Sequence, residues 1–254
     1  MTTLASDKPR GFHEGDFVDL PVIASDIIYQ GAAVGDNASG YMRPLVSGDP
    51  FRGFADFGVD NASGSAGDKT VRLRHKGLIT CTISGVAITD VGRPVYATDD
   101  DTFVLAGAGS YIGRVWAYVA SNTAIVAFDT SRPERDIVMP IALQLAGITG
   151  NGDVVTTFTP GFWGRIKSLD FFVTTVVSTA AKAATLNLEI GTTNVTGGAV
   201  ALTSANCTPL GAKVAGSAVT AANVFGPTDT ISLEAASVTA FAEGAGTLLV
   251  RLGA

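Results

Sequence analysis

Chemistry in this chain would have to start from very few residues. His13 and His75 are its two histidines, and a Ser-His-Asp triad or a Cys-His dyad would need one of them as its base. His75 lies on the apolar side of an alternating stretch, where an imidazole packs far more often than it catalyses. His13 sits near the N-terminus with no catalytic partner in view. No Cys/His pair has metal-ligand spacing, and no His-Glu-x-x-His run occurs. Asp99-Asp100-Asp101 has the composition of a calcium loop, but such loops alternate their ligands, and adjacent Asp side chains diverge in a tight hairpin. Residues 107–113 imitate a dinucleotide loop; their glycines are spaced wrongly by one, and a strand pattern follows where a phosphate-binding helix is needed. Two carboxylates suffice for a glycosidase, so residue types alone leave that open. The acidic residues after Ser131 are scattered singly, and the chain is read as a non-enzyme that needs no metal or cofactor.

The elements that would carry any site are strands. Of 254 residues only 16% are charged while 46% are hydrophobic, and 30 are glycine. A chain rich in Ala, Val, Thr and Gly, without runs of helix-forming Glu, Lys or Gln, is all-β with many turns. The most ordered stretch is residues 71–83. One face carries Val71, Leu73, His75, Ile79, Cys81 and Ile83; the other carries Arg72, Arg74, Lys76, Thr80 and Thr82. That period of two predicts one long half-buried strand, with Gly77 marking a bulge or close backbone approach where it bends into a small barrel. Asn37-Ala38-Ser39-Gly40 recurs as Asn61-Ala62-Ser63-Gly64, chemistry that closes β-turns. The Asn-x-Ser/Thr matches at Asn37, Asn61, Asn194 and Asn206 are assigned to such turns rather than to glycans.

Four segments are expected. Residues 1–21 are a polar arm with spaced apolar residues, Phe12, Phe17, Val18 and Leu20, more than an idle tail needs, and it is either pinned on a partner or folded back on its own domain. Residues 22–129 form a small β-barrel or β-sandwich domain. Residues 130–136, Thr130-Ser131-Arg132-Pro133-Glu134-Arg135-Asp136, are a charged, Pro-containing linker. Residues 137–254 offer about eight strand candidates, among them Leu186/Leu188/Ile190, Ile231/Leu233/Ala235 and Leu248/Val250/Leu252, and are expected to form a jelly-roll-like β-sandwich. Phe162-Trp163, after the Pro160-Gly161 turn, is either a plug at one end of that sandwich or a platform for sugar. Cys81 and Cys207 fall in different expected domains and are read as reduced, buried thiols.

Charge narrows the partners. The net charge is −6, with 10 Lys/Arg against 15 Asp/Glu before Ser131 and 7 against 8 from there on. Direct nucleic-acid binding needs a clustered cationic surface and is not expected. No apolar run approaches the length that spans a bilayer, and the N-terminus lacks a signal-peptide core, so synthesis in the cytoplasm and no membrane partner are expected. Arg72, Arg74 and Lys76 lie roughly 6.6 Å apart along one strand face. They form either an interface stripe or a solvated face matched by acids such as Asp56 and Asp60.

Residues 22–128 resemble the bacteriophage capsid decoration, or cement, protein family. The likeness rests on Ile28-Tyr29-Gln30-Gly31-Ala32-Ala33-Val34, Phe51-Arg52-Gly53-Phe54-Ala55, the turn Val59-Asp60-Asn61, the strand from Val71 to Gly77, Ile88-Thr89-Asp90-Val91-Gly92-Arg93-Pro94-Val95-Tyr96 and Ile112-Gly113-Arg114-Val115. It covers under half of the chain and carries no catalytic residue. It implies a β-barrel that binds the major capsid protein on the outer surface of an assembled head, as a homotrimer, making the protein a virion component. On that reading the capsid-interface candidates are Phe12, Phe17, Val18 and Leu20 of the arm and Arg72, Arg74 and Lys76 of the stripe. Residues 137–254 are similar to jelly-roll modules appended to phage structural proteins. The alternative function is a host-binding adhesin or spike whose C-terminal domain recognises surface glycan.

Overall fold

A computed structural model describes residues 15–132 and 134–253; Phe12 and the rest of the first fourteen residues lie outside the described residues. The chain is all-β, built from antiparallel sheets. In the N-terminal half the strands are β1 (Phe17–Pro21), β2 (Ile27–Ile28), β3 (Ala33–Asp36), β4 (Met42–Pro44), β5 (Phe51–Ala55), β6 (Val59–Asp60), β7 (Thr70–Arg74), β8 (Lys76–Thr82), β9 (Pro94–Ala97), β10 (Phe103–Val104), β11 (Ser110–Ala120) and β12 (Thr123–Asp129). They make one sheet in the order β1-β7-β5-β3-β4, a second in the order β10-β9-β11-β12-β8, and a β2-β6 ribbon.

The stretch expected as one strand over residues 71–83 is two strands in different sheets. The chain crosses at His75, whose N–H donates to Asp16 O (3.1 Å) and whose carbonyl accepts from Thr130 N–H (2.9 Å). The alternation itself holds, since Val71, Leu73, Cys81 and Ile83 are all buried. Alternation reports which face is covered; it does not report which sheet does the covering. Gly77 sits just beyond the crossing at φ +147, and a Cβ there would touch the Phe128 ring. Under the second sheet Phe54 packs edge-on against Phe128 (4.9 Å between centroids), Phe51 (5.2 Å) and Phe103 (6.0 Å), while Val22, Ile28, Val34, Met42, Val71 and Leu73 form a separate cluster under the first.

The C-terminal half has β13 (Asp136–Gln144), β14 (Gly152–Phe158), β15 (Gly164–Thr175), β16 (Ala183–Ile190), β17 (Thr193–Asn194), β18 (Val200–Thr203), β19 (Lys213–Ala215), β20 (Val224–Phe225), β21 (Ile231–Thr239) and β22 (Ala245–Gly253). Its pairings nest from the ends inward: β13 with β22, β14 with β21, β15 with β19 and β20, and β16 with β17 and β18. Rolling that long double ribbon adds β22–β15 and β21–β16, which closes two facing sheets and gives a jelly roll. The alternating Leu186/Leu188, Ile231/Leu233 and Leu248/Val250/Leu252 pairs point into one core with Phe171 and Ile166 at its centre.

The segment expected as a charged linker is fastened to both halves through Glu134. The Glu134 carboxylate is buried and accepts from Tyr96 Oη (2.8 Å) on β9 and from Arg165 Nη2 (2.8 Å) on β15, with Lys167 Nζ at 3.2 Å. Arg165 also lies 4.4 Å over the Tyr96 ring and donates to Gly107 O (2.6 Å). Sequence shows the charges of 130–136 but not the Arg and Tyr, 31 and 38 residues away, that bury one of them.

Candidate interaction surface

The described candidates from the sequence all fall on β1, β7 and β8, and they largely satisfy one another. The residues from Phe17 to Pro21, expected in an arm, are an edge strand in register with β7, Phe17 opposite Arg74 and Pro21 opposite Thr70. Val18 and Leu20 pack on the core under the first sheet. Phe17 lies half-exposed beneath the Arg74 guanidinium, 4.4 Å from its ring centroid. The physical reason is the alternation of β1 itself: Val18 and Leu20 find an apolar face to cover, while Asp19 between them supplies an acid to Arg72 and Phe17 a ring to Arg74. Arg72 pairs with Asp19 (3.0 Å), Arg74 with Asp56 (3.4 Å) and Lys76 with Asp16 (3.0 Å). The stripe is thus a row of intramolecular surface ion pairs, and of their three acids the sequence points only to Asp56.

The remaining candidates resolve simply. Cys81 and Cys207 are free and buried, and burial pushes the Cys81 thiol up to about 12, leaving it without thiolate character. Asp99 accepts from the N–H groups of Asp101 (2.9 Å) and Thr102, which holds its carboxyl below the usual range and makes the triplet a turn. Asn37 Oδ1 accepts from the Ser39 and Tyr41 amides, and Asn61 and Asn206 are likewise bonded within their own turns. Phe162 packs edge-on against Phe225 (5.5 Å), and Trp163 lies at the junction, 5.4 Å beneath the Arg93 guanidinium and against Gly92. Both aromatics of that pair are engaged in packing.

The open surface lies elsewhere, on the outer face of the β8-β12-β11 sheet. Leu78, Ala127 and Arg114 are cross-strand neighbours in one row, and Thr80, Ile125 and Ala117 in the next. Between Val115 and Ala117 the pairing with β12 slips, so Trp116 is an extra residue in a β-bulge, and a second slip before Ala120 does the same for Val119. Bulges re-aim side chains. Trp116 is 62% exposed and Val119 53%. The turn at residues 88–91 adds Ile88 and Val91 beside them, tied down by Gly92 N–H to Val115 O (2.8 Å) and Arg114 Nη1 to Gly92 O (2.9 Å).

At one end of this face Val91, Tyr111, Arg114, Trp116, Phe128 and Arg132 wall a groove of about 650 Å³. Beneath it the β11 and β12 backbones close up at Gly113, where a Cβ would come within 2.2 Å of Ala127 O. Arg132 is largely exposed at the rim and pairs with Asp129 (3.4 Å). The groove can bury an apolar side chain and offer two guanidinium groups beside it; it brings together no nucleophile and base. Sequence reasoning misses Trp116 as a functional residue, although it shares its parity along the strand with Arg114, which already marks an outward face.

No family model matches the chain, and no curated protein matches it. Among solved structures it aligns with that of infectious bursal disease virus Gx strain at 14% identity, over 93% of this chain and 70% of that one, with a TM-score of 0.24. The Gt strain of the same virus gives 10% identity over 98% and 73%, with a TM-score of 0.20. Superpositions that loose carry no argument about shape or function.

Proposed function

We propose that the protein is a structural component of a bacteriophage virion, a capsid decoration protein that binds the outer surface of the assembled head through its N-terminal half and stabilises it. The observation that carries this is where the uncovered apolar surface lies. Phe17, Tyr29, Val46, Phe57, Leu78, Ile88, Val91, Trp116, Tyr118 and Val119 are exposed in the half that resembles the decoration family, against Val138, Val176 and Leu210 in the jelly roll. Large exposed apolar side chains gathered on one half mark a surface built to be covered.

A decoration protein must stay soluble until a repeating lattice presents itself, and then gain affinity by touching several subunits at once. A modest patch suffices when symmetry multiplies it. The test is co-sedimentation of the purified protein with heads that lack it, followed by thermal release of DNA. Saturable binding that raises the release temperature is the expected result; absence of binding to every head form overturns the proposal.

A further inference from the structure

We infer that the surface meeting the head is the Trp116 groove rather than the Arg72–Arg74–Lys76 stripe, and that it receives a segment of the coat protein bearing an aromatic or long aliphatic anchor beside a carboxylate. This rests on the decoration reading above and names its contact.

Three features of the molecule lead there. The first is the bulge. A regular β11 would keep its pairing with β12 through residue 116, whereas the slipped register leaves Trp116 as an unpaired extra residue whose indole stands in solvent at the groove wall. An exposed Trp beside a concave apolar surface is the residue type that dominates protein interfaces. The second is the floor. Gly113 lets the β11 and β12 backbones close up beneath the groove, and Arg114 is fixed by Gly92 O, so the walls are set before anything binds.

The third is charge. The chain as a whole carries −6, yet the groove wall carries Arg114 and Arg132 against Asp129 alone. Arg114 spends one nitrogen on a neutral carbonyl, and Arg132 stands largely in solvent with Asp129 at 3.4 Å from its Nε. A carboxylate next to the anchor would find Arg114, which holds no carboxylate among the described residues, with Arg132 beside it; in the stripe all three cations already hold an aspartate of this chain.

The test compares Trp116→Ala, Arg132→Glu and Arg72→Ala as full-length proteins in the co-sedimentation assay. Trp116→Ala is expected to weaken head binding at least tenfold. Arg132→Glu should weaken it several-fold, with the difference fading at high salt. Arg72→Ala should bind as the parent does. If the parent binds and Trp116→Ala binds equally well, the groove is not the contact and the decoration function stands. If the parent binds no head, both fall together. If Trp116→Ala instead lowers the association state of the free protein in sedimentation equilibrium, a second copy occupies the groove and the inference is overturned. It is overturned equally if removing residues 1–14 leaves Trp116 more open to acrylamide quenching in a Trp163→Phe background, because the chain's own N-terminus then fills the groove.

Discussion

The two halves are close to equal in described length and share one architecture class, yet they finish their surfaces differently. The jelly roll pairs its strands from the ends inward, and its alternation delivers nearly every large apolar side chain to one core, leaving Val138, Val176 and Leu210 outside. The N-terminal half splits its core in two, passes the chain from one sheet to the other at His75, and leaves ten large apolar side chains exposed among its described residues. Register slips occur in both halves, in the pairings of β14, β15 and β16 as well as in those of β3 and β11. What differs is the side chain at the slip: in the jelly roll Val154 still packs on the core and Lys167 and Thr174 are polar, whereas in β11 the slips turn Trp116 and Val119 outward.

The largest test of this contrast removes a core aromatic from each half. Phe171→Ala empties the centre of the jelly roll and Phe54→Ala the centre of the aromatic cluster, each expected to cost about 3–5 kcal/mol in urea unfolding. What separates outcomes is whether the other half follows. Glu134→Ala should make that visible, because it strips the shared acceptor from Tyr96, Arg165 and Lys167 and strands a buried guanidinium, a loss of about 3–5 kcal/mol. Calorimetry is expected to show one transition for the parent and two for Glu134→Ala. A single transition in that variant would mean the halves are coupled by something other than this cluster.

Trp116→Ala is the next smaller step and has the opposite character. The side chain is mostly in water, so unfolding should shift by no more than about 0.5 kcal/mol while head binding falls. A large loss of stability would show that Trp116 serves the N-terminal half's own packing, and the difference between the halves would shrink accordingly.

The all-β class and the strands of the jelly roll are legible in the sequence because each alternating run there has a single sheet opposite it. Residues 185–190, 230–235 and 247–252 lie within β16, within or at the start of β21, and within β22. The N-terminal half is legible in burial but not in connection. Val71, Leu73, Cys81 and Ile83 point inward as their alternation predicts, while the division at His75 depends on Asp16 and Thr130, far away in sequence. The same non-locality hides the clamp at Glu134 and the bulge at Trp116, since a slip in register belongs to two strands at once and no single strand's pattern records it.

Acid should separate the halves by the smallest margin, and its direction follows from which carboxyls are displaced. Hydrogen bonds from Arg52 and Arg43 hold Asp36 and Asp49 below their ordinary value of 3.8, and Arg72 does the same for Asp19. Such groups bind fewer protons folded than unfolded just below that value, so the stability they lend is present above about pH 4 and drains away as pH falls through their folded values. Among the described residues of the N-terminal half only Asp100, raised by its burial, opposes these lowered carboxyls, whereas in the jelly roll one displaced carboxyl opposes one other. Amides of Thr179 and Ser178 draw Glu243 down to about 2, so it too loses its contribution on acidification. Burial, reinforced by Glu189 and Asp153, raises Glu234 above its ordinary 4.5, so its protonation relieves the folded state as pH drops through that raised value. The N-terminal sheet should therefore lose protection first between pH 5 and 3, read by amide hydrogen exchange in β3, β5 and β7 against β16 and β21. Glu234→Gln removes the relief and should bring the two halves closer in their acid response, while Asp49→Asn should flatten the N-terminal slope at the cost of stability at neutral pH. Equal protection of both sheets down to pH 3 in the parent would mean that the clamp at Glu134 makes the halves answer acid as one body.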